Sequence, residues 1–420
     1  ITSLFFFAFV RFIMFSLRSF NTVALRSTTT AKRGLAVANP LGTSVSPQLA
    51  PATRTLLGPG PQNAHPRVHS IMSLPQVGHM DPDFLKTMED VKALLRYVWQ
   101  TENSFTVPVS GTGSAAWEAA VANLTEPGDK HLICNNGYFG ERALDLHGRY
   151  TDNICEVTKP YGEVFTKEDI EQALQQHKPQ VMWLCHAETS TGTLQPMNGI
   201  GELCHKHDCL LLLDTVTSIC GLPVHLEAWG VDAAYAGTQK CMGCPPGVAP
   251  LSLGPRALAK LDARKSKVKN WYLDMSMIRK YLESSDGAPR VYHHTAPISM
   301  VYAMREALTL VAEEGLENCQ ARHRSNAEYF WSELERIGLK PYVDVSVRAP
   351  SLTTVCIPEG VDGMKVIQIM RERFQIEIGG ALGSLKGKCW RIGLMGYNNR
   401  PEIVKMCISA LEEAIELSKK

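Results

Sequence analysis

The feature that most constrains the fold is an alternation of short apolar runs with amphipathic helical patterns. The clearest run, residues 209–213, is too short for a free-standing helix and long enough for a strand buried on both faces. Similar runs lie at residues 105–109, 131–134, 181–185, 233–236 and 248–253, and helical patterns separate them at 114–124, 141–150, 167–176, 199–207 and 256–265. This alternation predicts an α/β fold with a large, mostly parallel sheet covered by helices on both faces.

Changes in pattern divide the rest of the chain. At 420 residues it is long enough for two domains. A long helical tract from residue 298 breaks near Gly315, and a shorter unit of strands and helices follows. We predict an N-terminal arm at residues 46–80 and a large domain at residues 81–297. A connecting helical tract at residues 298–344 and a small C-terminal α+β domain at residues 345–420 follow.

The N-terminus has an unusual charge distribution. The first acidic residue is Asp81, whereas seven Arg and Lys residues precede it, and residues 14–38 are rich in Ser and Thr and can form an amphipathic helix. These features are typical of an organelle transit peptide, so we predict a leader at residues 1–45 and a mitochondrial location. Plastid and peroxisome are alternatives, although the C-terminal Lys419-Lys420 does not match the Ser-Lys-Leu address.

Composition excludes several classes of function. A net charge of +1 gives no reason to expect a nucleic-acid partner. The apolar stretch at residues 4–10 is too short to span a bilayer, so no membrane partner is expected. The 12 cysteines follow no disulfide framework pattern, which favours a reducing compartment.

An acid and an amine stand at the ends of two predicted strands. Asp214 ends the first run, and Lys240 follows the run at 233–236. Ligands of open α/β sheets bind just beyond the carboxyl ends of the strands. An amine there can form a Schiff base with an aldehyde, and an acid can keep a ring nitrogen protonated, as pyridoxal phosphate requires. Either residue alone is weak evidence, since such an Asp often caps a helix and most lysines are solvated.

The local sequence adds a resemblance. Asp214-Thr215-Val216-Thr217-Ser218 followed by Gly237-Thr238-Gln239-Lys240 resembles the class V aminotransferases of pyridoxal phosphate fold type I, particularly the alanine–glyoxylate and serine–pyruvate or serine–glyoxylate enzymes. The resemblance covers about residues 56–417 and recurs in several separated motifs. It implies pyridoxal 5'-phosphate as cofactor, a Schiff base on Lys240, a ring-nitrogen contact from Asp214, and a homodimer with shared active sites.

A Gly-rich turn at residues 110–116 follows a predicted strand and opens a helix. Free backbone N–H groups and the helix dipole favour an anion at such a place, although many Gly-rich turns bind nothing. The resemblance assigns the cofactor phosphate to Gly113 and Ser114, together with Gln239.

Two further loops follow predicted strands. The resemblance places Phe139 where it would stack on the cofactor ring, and Thr189 where a hydroxyl would reach its phenolic oxygen. The alternatives are a core aromatic for Phe139 and a stabilised tight turn for Thr189.

Substrate residues are predicted in two places. Arg391, in the Arg-Ile-Gly segment of a small-domain strand, offers a guanidinium fork suited to an α-carboxylate. Gly58 and Gly60, in a Gly-Pro-Gly-Pro turn, let the backbone approach another group closely, and the resemblance places this turn near the substrate. The alternative is a turn that only leads into the domain.

Tyr292 and Thr295 are assigned by resemblance to the phosphate of the neighbouring subunit. The adjacent His293 and His294 suggest a metal, but sequence neighbours usually diverge in direction and no third ligand is evident, so no metal is expected.

The resemblance, together with these residues, implies transamination of a small amino acid, serine or alanine, with glyoxylate or pyruvate, in which the freed Lys240 amine moves the proton. A kynurenine-pathway transaminase and a cysteine-desulfurase-like lyase using Cys389 are the alternatives within the fold. A non-enzymatic metal- or thiol-regulated binding protein using Cys241 and Cys244 is the alternative outside it.

Overall fold

The computed structural model of the protein describes residues 45, 49–283 and 290–419, so the predicted leader at residues 1–45 lies outside the described residues except for Val45. Within residues 53–420, seven of the described strands form the largest sheet. They are β2 (Phe105–Ser110), β3 (Lys130–Asn135), β4 (Asn153–Thr158), β5 (Val181–Cys185), β8 (Leu210–Asp214), β9 (Ala233–Tyr235) and β10 (Val248–Leu253). Their order across the sheet is β2-β10-β9-β8-β5-β3-β4.

The sheet is mostly parallel, as the sequence predicts. β10 is antiparallel to both of its neighbours, and the other neighbouring pairs are parallel. Leu211, Leu212 and Leu213 in the central β8 are fully buried, as expected for a strand covered on both faces. The helices of this part are Pro66–Ile71, Pro82–Trp99, Gly113–Leu124, Tyr138–Gly148, Lys167–His177, Ile200–Lys206, Pro255–Asp262 and Met275–Leu282.

The C-terminal part has its own small sheet. β11 (Leu352–Cys356) and β13 (Gly379–Gly380) flank β14 (Cys389–Gly393), and both pair with it in antiparallel fashion. The helices Gly363–Arg373 and Pro401–Ser418 belong to this part. Two short strands join the N-terminal arm to it, because β1 (Thr55–Leu56) pairs in parallel with β12 (Ile376–Glu377).

The two largest apolar cores of the described residues lie one after the other along the chain. The larger contains buried residues from Ala64 to Cys319, and the smaller contains Leu57 and buried residues from Ala327 to Ile415. The predicted helical tract is two helices, Ile298–Glu314 and Leu316–Arg336, separated at Gly315. The second helix contributes to both cores, so it joins them covalently. The domain boundaries drawn from the sequence stay predictions.

Some elements carry too weak a pattern to predict from sequence. β4 pairs only with β3 and is mostly half-exposed or exposed, so its apolar pattern is interrupted. The helix Met275–Leu282 and a short hairpin of β6 (Ala187–Glu188) and β7 (Thr193–Leu194) are also additional. Among the described residues, no helix combines the length and apolarity that crossing a membrane requires.

Candidate active site

A cavity lies beyond the carboxyl ends of β5, β8 and β9, where ligands of open α/β sheets bind. It brings together seven residues that the sequence singled out from separate loops: Gly113, Ser114, Phe139, Thr189, Asp214, Gln239 and Lys240. The acid and the amine therefore face a common space, although they are 26 positions apart in the chain.

Asp214 is the last residue of β8, and its carboxylate accepts two hydrogen bonds. Val216 N donates to Oδ1 at 2.8 Å, and the Tyr235 hydroxyl donates to Oδ2 at 2.7 Å. Burial raises the pKa of the Asp214 carboxyl to about 6, while these hydrogen bonds and the charge of Lys240 oppose the rise. Asp214 is therefore a buried anion at neutral pH that is ready to pair with a cation.

Lys240 follows β9 after a short turn, and its side chain is buried. Burial, followed by the nearby positive charge of Arg391, lowers the pKa of the Lys240 amine to about 8. Its Nζ donates a hydrogen bond to the carbonyl oxygen of Pro59. An amine with such a pKa is partly neutral near physiological pH, which both a nucleophile and a base require.

The Gly-Pro-Gly-Pro turn lies against the lysine. Gly60 has a φ of +109°, and a Cβ at this position would lie 2.7 Å from Lys240 Nζ, so a larger side chain would displace the amine. Gln62 N donates to Gln239 O at 3.0 Å and ties the turn to the lysine loop. Gly58 instead faces Gly379, and neither glycine lines the cavity. The structure thus brings Gly60, but not Gly58, next to Lys240, and their substrate roles stay predictions.

One end of the cavity suits an anion. The helix Gly113–Leu124 begins there, and its N-cap residue Thr112 makes no side-chain capping bond. The N–H groups of Gly113 and Ser114 have no hydrogen-bond partner among the described residues and are available for an anion, whereas Ala115 N donates to Thr112 O at 2.8 Å. A Cβ on Gly113 would lie only 3.5 Å from the Ala236 carbonyl oxygen, so the helix packs closely on the loop after β9. The side-chain oxygen of Gln239 is buried and has no hydrogen-bond partner among the described residues.

Glu188 joins two loops of the cavity and was missed in the sequence. Its Oε2 accepts a hydrogen bond from Phe139 N at 3.1 Å, and its Oε1 accepts one from Ser190 N at 2.8 Å. The buried carboxyl therefore fixes Phe139 relative to the loop that carries Thr189. Burial raises the pKa of Glu188 to about 7. Its burial comes from tertiary packing, and the local sequence contains no signal for that burial.

Arg391 lies on β14 of the small sheet and reaches toward the cavity. Its Nε donates to Gly380 O at 2.9 Å, and its Nη1 donates to Thr189 O at 3.3 Å. Burial lowers the pKa of the guanidinium, and Glu188 opposes this change. Nη2 makes no hydrogen bond within the described residues and is available for a ligand. Arg391 does not line the cavity itself but is bonded to Thr189, which does.

Tyr292 and Thr295 lie apart from this cavity. Tyr292 is 60% exposed, Thr295 is also exposed, and neither lines the cavity of its own chain. Between them, His293 Nδ1 lies 2.8 Å from His294 Nδ1, and His294 Nε2 lies 2.8 Å from Ser110 Oγ. No cluster of three or more potential metal ligands occurs among the described residues.

The Cys-x-x-Cys pair is buried beside Lys240. Cys241 donates to Thr217 O at 3.3 Å, and burial raises the pKa of both the Cys241 and Cys244 thiols to about 12. Because the thiolate is the reactive form of cysteine, burial disfavours a redox role for these two thiols.

The cavity therefore combines one end suited to an anion, the aromatic ring of Phe139, the buried Asp214 carboxylate and the Lys240 amine, whose pKa is lowered to about 8. The Arg391 guanidinium lies nearby. Comparison with known proteins agrees with this combination. The aminotransferase class V family matches residues 63–406. Alanine–glyoxylate aminotransferase of Mus musculus is 41% identical over 374 residues, which cover 89% of this chain and 90% of that protein.

Two crystal structures share the fold. Alanine–glyoxylate aminotransferase from Nostoc sp. has a TM-score of 0.86 at 54% identity, covering 88% of this chain and 97% of that chain. Ureidoglycine–glyoxylate aminotransferase from Bacillus subtilis has a TM-score of 0.86 at 37% identity, covering 89% and 95%. Sequence, fold and cavity thus lead to one conclusion: the chain belongs to the class V aminotransferase family.

Proposed function

We propose that the protein is a pyridoxal 5'-phosphate-dependent aminotransferase that transfers the amino group of serine or alanine to glyoxylate. The observation that carries the proposal is that Asp214 and Lys240 line one cavity at the start of a helix whose Gly113 and Ser114 N–H groups have no hydrogen-bond partner among the described residues. The names of all three relatives described above contain glyoxylate, which supports this acceptor, and pyruvate is the second candidate.

The residues present fit the cofactor. Gly113, Ser114 and Gln239 line the cavity where a phosphate would be held, because backbone N–H groups and the NH2 of the Gln239 side-chain amide can donate to it, and Phe139 offers a ring face. Asp214 suits a protonated ring nitrogen, and Lys240 suits the aldehyde. When bound, pyridoxal phosphate supplies an aldehyde that takes up the amino group and a ring that accepts electrons.

The protein's own groups would divide the remaining work. The Lys240 amine, with a pKa lowered to about 8 mainly by burial, is the base that moves the proton at the substrate α-carbon. Arg391 binds the substrate carboxylate, and its bond to Thr189 fixes the direction of the guanidinium. The turn at Gly60 packs against Lys240 and favours compact substrates by limiting the room beside the amine.

The active form would be a homodimer in which Tyr292 and Thr295 complete the neighbour's site. An exposed aromatic patch supports this arrangement. Trp271 is 61% exposed and stacks on His293 with ring centroids 4.6 Å apart. Tyr272, which also contacts the His293 ring, and Tyr292, which precedes His293 in the chain, are exposed as well. Aromatic patches of this kind are typical of protein interfaces. The acid-free, Arg-bearing leader supports import into the mitochondrion.

A matrix of donors and acceptors tests the proposal. Serine, alanine and 3-hydroxykynurenine are each incubated with glyoxylate or pyruvate and the protein supplied with pyridoxal phosphate, with Lys240→Ala as the control. We expect glycine from glyoxylate with serine or alanine, and none from the variant. Preference for 3-hydroxykynurenine would instead favour a kynurenine-pathway enzyme.

Cysteine is added as a separate substrate to test the lyase alternative. Cys389 is buried on β14, and burial raises the pKa of its thiol to about 12, which disfavours a role as sulfur acceptor. Release of sulfide and alanine from cysteine in the presence of a thiol reductant, without transamination, would overturn the aminotransferase proposal.

A further inference from the structure

Two aromatic side chains, Trp183 and Tyr235, form consecutive hydrogen bonds that end on the Asp214 carboxylate. Trp183 Nε1 donates a hydrogen bond to the Tyr235 hydroxyl oxygen at 2.9 Å. The same hydroxyl lies 2.7 Å from Asp214 Oδ2 and donates to it. Both aromatic residues are fully buried, and neither belongs to the set of site residues recognised from the sequence.

The direction of this chain follows from the chemistry of its members. An indole N–H can only donate, so Trp183 uses the Tyr235 oxygen as an acceptor. The single hydroxyl proton of Tyr235 is then directed to the carboxylate. With the Val216 N–H on Oδ1, each Asp214 oxygen receives one protein donor and keeps a second lone pair available. The arrangement favours the ionised carboxylate in a site where burial alone would favour the neutral acid.

The aromatic rings are held in a fixed stack. Trp117, on the helix Gly113–Leu124, stacks on Trp183 at 5.5 Å and on Tyr235 at 5.5 Å, with interplanar angles of 17° and 9°. Tyr235 and Asp214 are also direct partners in the register of β9 and β8. Strand pairing and stacking together leave the hydroxyl little freedom to turn away from the carboxylate.

We propose that Tyr235, oriented by Trp183, is a positioning residue that keeps Asp214 ionised and aimed at a ring nitrogen, so that the site selects a cofactor with a protonated nitrogen in its ring. The proposal rests on the proposed function, because it gives the ring-binding carboxylate its partner. Tyr235 acts through Asp214 and takes no part in the reaction itself.

Binding of two probes to the apoprotein tests the proposal without any measurement of activity. The probes are pyridoxal 5'-phosphate and its 1-deaza analogue, in which a C–H group replaces the ring nitrogen. We expect the wild type to prefer the nitrogen-containing ring, and Tyr235→Phe to reduce this preference by about tenfold or more, since a hydrogen bond to an ionised group is worth roughly that factor. Affinity for the deaza analogue should stay the same, because phenylalanine preserves the stack.

Matched variants separate this role from a structural one. Trp183→Phe leaves the Tyr235 hydroxyl in place and should reduce the preference by a smaller factor. Tyr281→Phe removes another buried hydroxyl, which donates to His79 O at 3.0 Å outside the cavity, and should change nothing. Tyr235→Phe leaves the Trp183 N–H without an acceptor, which could prevent folding. In that case the double variant Trp183→Phe/Tyr235→Phe removes this N–H, and its affinities for the two probes are compared in the same way.

The outcomes are distinct. Equal weakening of both probes in Tyr235→Phe would show that the hydroxyl only supports the fold and would overturn the proposal. Equal affinity of the wild type for both probes would overturn it as well, because Asp214 would then not sense the ring nitrogen. A wild type that binds neither probe would instead contradict the proposed function, and this inference with it.

Discussion

Burial determines the chemistry of the individual site residues. It raises the pKa of the carboxyls of Glu188 and Asp214, to about 7 and about 6, and lowers the pKa of the Lys240 amine to about 8. All three values move toward neutrality, where a small change in surroundings changes the charge. Hydrogen bonds then decide which form dominates, as the donors Tyr235 and Val216 do for Asp214.

The first prediction concerns the Lys240 amine. In the apoprotein we expect its reaction with trace acetic anhydride, followed by peptide mass spectrometry, to rise with pH to half its maximum near pH 8, because burial lowers the pKa from its ordinary 10.5. Arg391→Gln should shift the midpoint upward, since the positive charge of Arg391 also favours the neutral amine. A midpoint near that of solvated lysines in the wild type would contradict the burial argument.

The second prediction concerns Glu188 and the stability of the apoprotein. The folded carboxyl keeps its proton up to a pKa of about 7, whereas an ordinary glutamate releases it near 4.5. The folded state thus binds more protons than the unfolded chain between these values. The free energy of unfolding should therefore fall as the pH rises through this window, by about 3 kcal/mol at ~1.4 kcal/mol per pKa unit.

Urea unfolding at a series of pH values measures this slope. Glu188→Gln should flatten it, even though the amide satisfies only one of the two N–H donors and lowers stability overall. Glu168→Gln, on an exposed face of the helix Lys167–His177, is the matched control and should leave the slope in place. An unchanged slope in Glu188→Gln would show that another group causes it.

At the scale of elements, the ends of strands and one helix build the site. The apolar runs predict β5, β8, β9 and β10 closely, because a buried strand is apolar over its whole length. The helix Gly113–Leu124 brings its free N–H groups to the same edge. The third prediction tests that helix end.

Ser114→Asp places a carboxylate at the first turn of this helix. The new charge repels the cofactor phosphate and competes for the free N–H groups, so apoprotein affinity for pyridoxal 5'-phosphate should fall by about tenfold or more. Affinity for pyridoxal, which lacks the phosphate, should hardly change, and Ser114→Ala should give a much smaller loss. Equal losses for both compounds would contradict a phosphate site at this helix.

Contacts between residues that are distant in the chain were harder to predict from the sequence than the strands themselves. Asp214 and Lys240 could be found because each follows an apolar run in a recognisable motif. Tyr235 and Glu188 could not, because their roles depend on which strands pair and on how the loops fold back. The order β10-β9-β8 places Tyr235 beside Asp214, and no local pattern encodes that order. β4 was missed for a related reason, since this edge strand is mostly half-exposed or exposed and its apolar pattern is interrupted.

At the scale of the whole molecule, distant segments meet at one cavity. The arm at Gly60 contacts Lys240, and Arg391 reaches Thr189 from the small sheet. Because Arg391 lies on β14 of the small sheet, any movement of that sheet would carry Arg391 with it. The helix Leu316–Arg336, which contributes to both apolar cores, links this part to the large sheet. Tyr292 and Thr295 are exposed on the single chain, and the proposed dimer would give them a site to complete.

The fourth prediction tests this sharing of sites between subunits. We expect Lys240→Ala and Tyr292→Phe/Thr295→Val each to be inactive or strongly impaired alone. If the tyrosine and threonine act across the dimer, a mixed dimer contains one site in which all three residues are intact, so mixing the unfolded variants and refolding them together should restore activity. Lys240→Ala mixed with wild type is the control. Absence of recovery would mean that the residues serve their own chain or none.

The central claim is that Lys240 and Asp214 hold one pyridoxal phosphate between them. Its most direct test is borohydride reduction of the protein incubated with pyridoxal 5'-phosphate, followed by peptide mass spectrometry. We expect a phosphopyridoxyl group on Lys240 and a much weaker one in Asp214→Ala, because the ring nitrogen then lacks its carboxylate. Labelling of other lysines alone, or equal labelling of Lys240 with and without Asp214, would contradict the claim.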